Sequence, residues 1–327
     1  MGKYVPVLVA NILLGATITM SAAAEPLRLG VSTWVGYGPL YIAEEKGYFE
    51  EEGADVELVD IGDLEGDLLG VEALAADQVD AVMTTVDTAL VHLSEEQPFR
   101  YLFAVDDSKG GDGIVASTDI QEVADLKGKR VALEQGSVSE FYLGVLLMEA
   151  GVSPAEVDLV DMNGEDSVKA FAAKEVDAVV TWEPWLTSAE QAEHAHRLID
   201  SSSSPGLIVD AAVTLPAKLE QHQDNLKGVY RAWLKAVEFQ KANEKEADEI
   251  MARGVGGWLD DPAVFAETRA GIAYYDDAMN KAFIGTSEAP GRLVETITNA
   301  LELGKQTGQF EQDVEPAELI VFEIVNQ

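Results

Sequence analysis

The chain has 327 residues, no cysteine, and 59 acidic against 22 basic side chains, giving a formal net charge of −37. The absence of cysteine excludes disulfides, thiolate nucleophiles, thiolate metal sites and a lipid-modified cysteine anchor. So large a negative charge repels itself at low salt and argues against nucleic acid and anionic membranes as partners. Salt screens such repulsion within roughly 10 Å at about 0.1 M, and the acidity reads as adaptation to a halophilic or marine environment.

The first 24 residues read as a secretory signal peptide: Lys3 is a short basic start, Val5–Met20 is largely apolar, and Ala22-Ala23-Ala24 is a small-residue cleavage site before Glu25. The apolar run is broken by Asn11 and Thr17 and is short for a membrane span. Cleavage after Ala24 is expected to yield an exported chain that is not a lipoprotein, placed in a Gram-negative periplasm. Strand Leu27–Val31 then leads through Ser32–Gly38 to a helix opened by Pro39 and running to Lys46. Strand Asp55–Asp60, helix Leu64–Ala76 and strand Ala81–Thr84 follow, and Thr85-Val86-Asp87 opens another helix. Residues 105–113 break this pattern. Strand Arg130–Leu133, helix Glu140–Ala150, strand Val157–Asp161, helix Asp166–Lys174 and strand Ala178–Val180 repeat it. A second break at 200–206 precedes a strand-like run, Leu207–Val213, and mostly helix thereafter.

Alternating strands and helices predict an α/β fold with mostly parallel sheets. One passage is written twice: Ala73-Leu-Ala-Ala-Asp-Gln-Val-Asp-Ala-Val-Met-Thr84 and Ala170-Phe-Ala-Ala-Lys-Glu-Val-Asp-Ala-Val-Val-Thr181. Two copies of one strand–helix unit predict two similar lobes with a ligand cleft between them. The first lobe comprises residues 25–105 and 214–327, the second 114–204, and the crossings 106–113 and 205–213 make a two-segment hinge.

In such sheets ligands bind outside the carboxyl ends of the strands, which selects the junctions 33–38, 84–87, 135–139 and 181–184. Each offers helix N-terminal amides to an anionic or strongly polar group. Trp34 and Trp182 are candidates to sandwich a ligand or stack on a cation. Trp185, one turn into its helix, reads as core. Ser137 and Glu140 have capping-box spacing, so Ser137 serves either cap or ligand, while Ser139 and nearby amides are open to ligand. Asp87, Asp112, Glu183 and Asp210 are candidate acceptors for a ligand amine. For Asp87 the alternative is a helix cap, and for Asp112 a turn-shaping role. No Arg or Lys falls within the four junctions, which disfavours a small inorganic anion. The histidines His92, His194, His196 and His222 make no convincing metal set, His194 and His196 reading as the solvated end of a helix, and no phosphate loop or nucleophile elbow is present.

The run Gly36-Tyr37-Gly38-Pro39-Leu40-Tyr41-Ile42-Ala43, with Lys46-Gly47-Tyr48-Phe49, Asp125-Leu126-Lys127-Gly128-Lys129 and Ala178–Trp185 in order, resembles the nitrate/sulfonate/taurine-type solute-binding proteins of ABC importers. The resemblance implies a periplasmic-binding-protein type II fold that closes on a small organic ligand, a sulfonate, a taurine-like zwitterion or a small nitrogenous compound, and delivers it to a membrane permease. It implies pocket roles for Trp34, Tyr37, Thr85, Gln135, Ser137, Ser139 and Trp182, with Asp210 or Glu183 as the carboxylate for an amine. A monomer without cofactor or metal is expected. A sensor presenting its bound ligand to a receptor is the alternative. A pyrimidine-precursor enzyme of the same fold is disfavoured, because that branch uses a cysteine-rich motif and this chain has no cysteine.

Overall fold

The computed structural model describes Met1, Gly2 and residues 25–64, 70–91, 98–307 and 314–327. The signal segment and His92 therefore lie outside the described residues, as do part of the expected 64–76 helix and its approach. Among the described residues eleven strands follow in chain order: β1 (Leu27–Val31), β2 (Val56–Asp60), β3 (Ala81–Thr85), β4 (Arg100–Ser108), β5 (Asp112–Ser117), β6 (Arg130–Leu133), β7 (Asp158–Asp161), β8 (Ala178–Trp182), β9 (Ala195–Asp200), β10 (Val209–Thr214) and β11 (Ile272–Tyr274). They form two sheets, one ordered β11-β4-β10-β3-β1-β2 and the other β7-β6-β8-β5-β9.

The two sheets share one plan. In each, three parallel strands (β2-β1-β3 and β7-β6-β8) are extended by two strands in antiparallel pairing, β10-β4 and β5-β9, and the first sheet adds β11 antiparallel to β4. The duplicated passage supplies the equivalent strands β3 and β8 and the end of the helix before each. The antiparallel additions arise because the chain changes sheets: β4 ends in the first and β5 begins in the second, then β9 ends in the second and β10 returns to the first. Each crossing strand lands next to the repeat strand of the sheet it enters.

The run 105–113 is less of a break than its polarity suggests. Val105–Ser108 completes β4 and Asp112 starts β5, leaving Lys109-Gly110-Gly111 as the turn. Two amides of that turn, Lys109 and Gly111, donate to Gly271 O at 2.7 and 3.0 Å. The segment carrying His194 and His196 is also different from its reading as helix. The helix Trp185–Ala189 is short, and His196 belongs to edge strand β9. His196 Nδ1 lies 3.1 Å from Ala116 O, and the His194 ring stacks on Phe171 at 4.8 Å.

Apolar side chains from both sheets and the C-terminal helices form a continuous core, with a smaller satellite on the far face of the second sheet around Val115, Val179, Phe171 and Leu186. Trp233, fully buried in the helix Pro216–Ala242, donates through Nε1 to Tyr275 O at 2.9 Å and meets Tyr274 edge-on. It thereby ties that helix to the edge of the first sheet. Trp233→Ala removes one of the largest core side chains and should lower unfolding stability by about 3–5 kcal/mol, read as the shift in a urea-denaturation midpoint at constant slope.

Candidate functional site

Strand register concentrates carboxylates where the sheets exchange strands. Asp210 on β10 lies opposite Asp106 on β4 and Thr85 on β3. Asp112 opens β5 opposite Trp182, the last residue of β8. Asp87 follows β3 in the first turn of the helix Val86–Val91. Asp87, Asp106, Asp112 and Asp210 are all 5 % exposed or less. Their partners are neutral donors. Tyr37 Oη donates to Asp210 Oδ1 at 2.5 Å, Trp34 Nε1 to Asp106 Oδ2 at 3.3 Å, and Ser108 Oγ to Asp112 Oδ2 at 2.6 Å. Ser201 Oγ stands 2.8 Å from Ser108 Oγ and accepts from Gly110 N, so the two chain crossings are stitched at this point. One oxygen each of Asp87 and Asp106 has no partner. Gly36 makes this packing possible, since a Cβ there would stand 1.8 Å from Asp106 Oδ2.

No lysine or arginine hydrogen-bonds or ion-pairs with these four among the described residues. Burial, reinforced by the neighbouring carboxylates, pushes Asp112 and Asp210 up to about 7, and burial pushes Asp87 up to about 6. Asp106 rises well above the ordinary range, first through burial and then through Asp210. Adjacent Asp107 accepts from Gly206 N at 2.8 and 3.0 Å and feels Arg292 and Lys109, yet burial still pushes it to about 6.

Across the junction lies the helix Val138–Glu149 of the second lobe. Between it and the first lobe runs a cavity of about 630 Å³, lined by Asp87, Leu90, Ser137, Glu140, Phe141 and Leu303 among others. Gly144 of this helix abuts Leu303 of the first-lobe helix Leu293–Thr307 so closely that a Cβ would stand 2.6 Å from Leu303 Cδ2. Ser137 Oγ accepts from Ser139 N at 3.2 Å and donates to Glu134 O, while Glu140 Oε2 accepts from Gly136 N at 2.7 Å. The cap is thus displaced by one residue from the expected box, because Gly136, at φ 75°, takes the place of Ser137 as the donor to Glu140. The hydroxyls of Ser139 and Tyr142, one helical turn apart and both buried, have no hydrogen-bond partner.

Of the residues singled out in the sequence, Trp34, Tyr37, Asp87, Asp112, Asp210 and Trp182 come together here, with Ser137 and Ser139 across the cavity. Thr85 is beside Asp210 but spends its hydroxyl on Thr88 at 2.7 Å. Gln135 is exposed, with its amide on Asp161, and Glu183 accepts from Thr187 N and Oγ1 and lies 3.6 Å from Arg197. Trp185 is half-buried over Gly164 rather than in the core. Asp106, Ser108, Ser201 and Tyr142 were not legible as site residues. Among the described residues no cluster of His, Asp or Glu has the arrangement to hold a metal.

These raised carboxyls set the sign of a pH dependence. A group whose folded pKa lies above its unfolded value stabilises the fold below the unfolded pKa, and that contribution disappears as pH rises through the folded one. The ligand-free protein should therefore melt at lower temperature as pH rises from 5 to 8, through the range of about 6 to 7 where Asp87, Asp112 and Asp210 ionise. The trend reverses below about pH 4, where the unfolded chain protonates Asp80 while Arg28 and Lys218, against the cost of burial, hold it ionised in the fold. Asp112→Asn should raise the melting temperature at pH 8 and flatten the slope between pH 5 and 7. An unchanged slope contradicts the assignment.

A profile of the family described as NMT1/THI5 like matches residues 34–247. A Bacillus subtilis protein named for binding aliphatic sulfonates is 28% identical over 263 residues, covering 76% of this chain and 77% of its own length. The taurine-binding periplasmic protein of Escherichia coli is 22% identical over 181 residues, 55% of this chain and 56% of its own. Among solved structures, the periplasmic aliphatic sulphonate binding protein SsuA of Escherichia coli superposes with a TM-score of 0.72 at 19% identity, covering 93% of this chain and 100% of that one. The desulfurization enzyme DSZB shares the fold at a TM-score of 0.60 and 14% identity, over 92% of this chain and 98% of its own. With the profile spanning well over half of its length, the chain belongs to the NMT1/THI5-like family.

Proposed function

We propose that the protein is the solute-binding component of an ABC importer, which is exported to the periplasm, takes a small organic ligand between its lobes and presents the closed form to a permease. The observation that carries this reading is the inter-lobe junction, where Asp87, with one oxygen lacking a partner among the described residues, lines a cavity of about 630 Å³, and Ser139 and Tyr142, with buried hydroxyls likewise unpartnered, belong to the helix that forms its other wall. Unpaired buried polar groups cost free energy that a bound molecule relieves. The relatives named for sulfonate and taurine binding, and the likeness to SsuA over 93% of the chain, support the same role.

A ligand shifts two conformations only by contacting one of them better. Here the better-contacted form is the closed one, in which Gly144 and Leu303 bring the lobes together beside the cavity. Capture without chemistry is supported by the relatives named for binding aliphatic sulfonates and taurine.

A thermal-shift panel at high salt, comprising taurine, alkanesulfonates, nitrate, pyrimidines and small amines, identifies the ligand class. A true ligand at a hundred times its dissociation constant should stabilise the protein by about 2.7 kcal/mol. Small-angle scattering with that ligand should show a smaller radius of gyration, and an identical profile at saturation sinks the closure mechanism. Gly144→Leu, which wedges the closed lobes apart, should weaken binding at least tenfold while leaving the circular dichroism spectrum intact. Trp34→Ala should also weaken binding, and unchanged affinity in both variants contradicts the placement of the site.

A further inference from the structure

Among the described residues, the junction holds four buried aspartates and no lysine or arginine paired with them. Three of them belong to the first lobe, with Asp106 and Asp210 paired across adjacent strands and Asp87 in the helix that follows β3. The fourth, Asp112, opens the first strand of the second lobe. Among the described residues their side-chain hydrogen bonds come from Tyr37, Trp34, Ser108, Thr85 and Thr88, all neutral donors. The cavity alongside repeats this bias, with Asp87 and Glu140 in its wall and no Lys or Arg among its described lining residues.

An anionic head group finds little here. Three of the amides at the entry to the helix Val138–Glu149, the natural anion site of the second lobe, already have acceptors within the chain. Gln135 N donates to Asp161, Gly136 N to Glu140 and Ser139 N to Ser137 Oγ. Among the described residues, what remains without a partner is one oxygen each of Asp87 and Asp106 and the buried hydroxyls of Ser139, Tyr142 and Thr181. Tyr142 lies in the field of Asp112, on the helix packed over the sheet face that carries Asp112. Directly paired residues of antiparallel strands present their side chains to one face, so Trp182 stands beside Asp112, and Trp34 is tied to Asp106. Indole faces in this setting attract cations.

Resting on the solute-binding reading, we propose that the solute carries a positive charge, as a protonated amine, amidine or ring nitrogen, held between Asp112 of one lobe and Asp210, Asp106 and Asp87 of the other. The placement also explains closure. Without ligand, carboxylates on facing lobes oppose each other's approach. A cation between them turns that opposition into attraction available only in the closed form, which is the differential contact that closure requires.

Isothermal titration of the full exported chain with two skeleton-matched pairs of opposite charge, ethylamine against ethanesulfonate and benzamidine against benzenesulfonate, tests the proposal. The cation of at least one pair should bind at least tenfold more tightly than its sulfonate. Asp112→Asn and Asp210→Asn should each reduce that cation affinity tenfold or more, and rising salt should weaken it in the unaltered protein. Should a variant fail to fold, the ratio within each pair still decides. Tighter binding of a sulfonate overturns the charge assignment and leaves the solute-binding reading intact. Failure of both cations to bind also overturns it, and the scattering experiment on the wider panel then decides the solute-binding reading separately.

Discussion

A carboxylate taken out of water keeps its charge only where something replaces the lost solvation. At the centre of this protein four carboxylates are taken out of water together, and the replacement is partial. Tyr37, Trp34 and Ser108 each donate one hydrogen bond, while Asp87 and Asp106 keep an oxygen with none. Like charges at close quarters add to the cost. The junction therefore either takes up protons or waits for a cation. Surface ion pairs such as Lys46–Glu246 or Arg253–Glu45 show that cations are available elsewhere in the molecule. Their absence at the junction is a local choice in an otherwise acidic chain.

The fold builds this environment through its exchange of strands. β5 and β10 are the first strands after the two crossings, and each inserts beside the parallel core of the sheet it enters. Asp112 is the first residue of β5 and Asp210 the second of β10. Both carboxylates thus sit where the chain passes between lobes, so any change in the angle of the lobes changes their separation. Ser108 and Ser201, one from each crossing, lock the two passages side by side. Gly36 leaves room for Asp106, and Gly144 lets the opposing helix reach Leu303. Stability is given up at the junction and recovered in the surrounding core, a distribution typical of binding sites.

Much of this plan was legible in the sequence, and its failures have physical causes. The duplicated helix–turn–strand passage correctly marked β3 and β8, because its apolar residues are scaffold in both lobes and its period does not depend on ligand. Asp112 and Asp210 were recognisable as polar residues flanking apolar strands. Asp106 was not. Val105-Asp106-Asp107-Ser108 has the composition of a loop, and only burial against β10, with Asp107 turned to Gly206, keeps it in a strand. Glu183 and Asp210 were indistinguishable as amine acceptors, since Arg197, which draws near Glu183, comes from edge strand β9, in a segment that reads as helix. Capping at Ser137 shifted by one residue because a left-handed glycine precedes it, a backbone property that spacing does not encode. Local pattern thus located the scaffold, while the pairing of polar groups depended on contacts distant in sequence.

The central claim is that the inter-lobe carboxylates are held without a cation until ligand arrives. Carbon-13 titration of the aspartate carboxyl resonances in ligand-free protein tests it most directly. Buried Asp112 and Asp210 should titrate near pH 7 and Asp87 near pH 6, far above the ordinary aspartate value of about 3.9. A spectrum in which every aspartate carboxyl finishes titrating below about pH 5 would contradict the account.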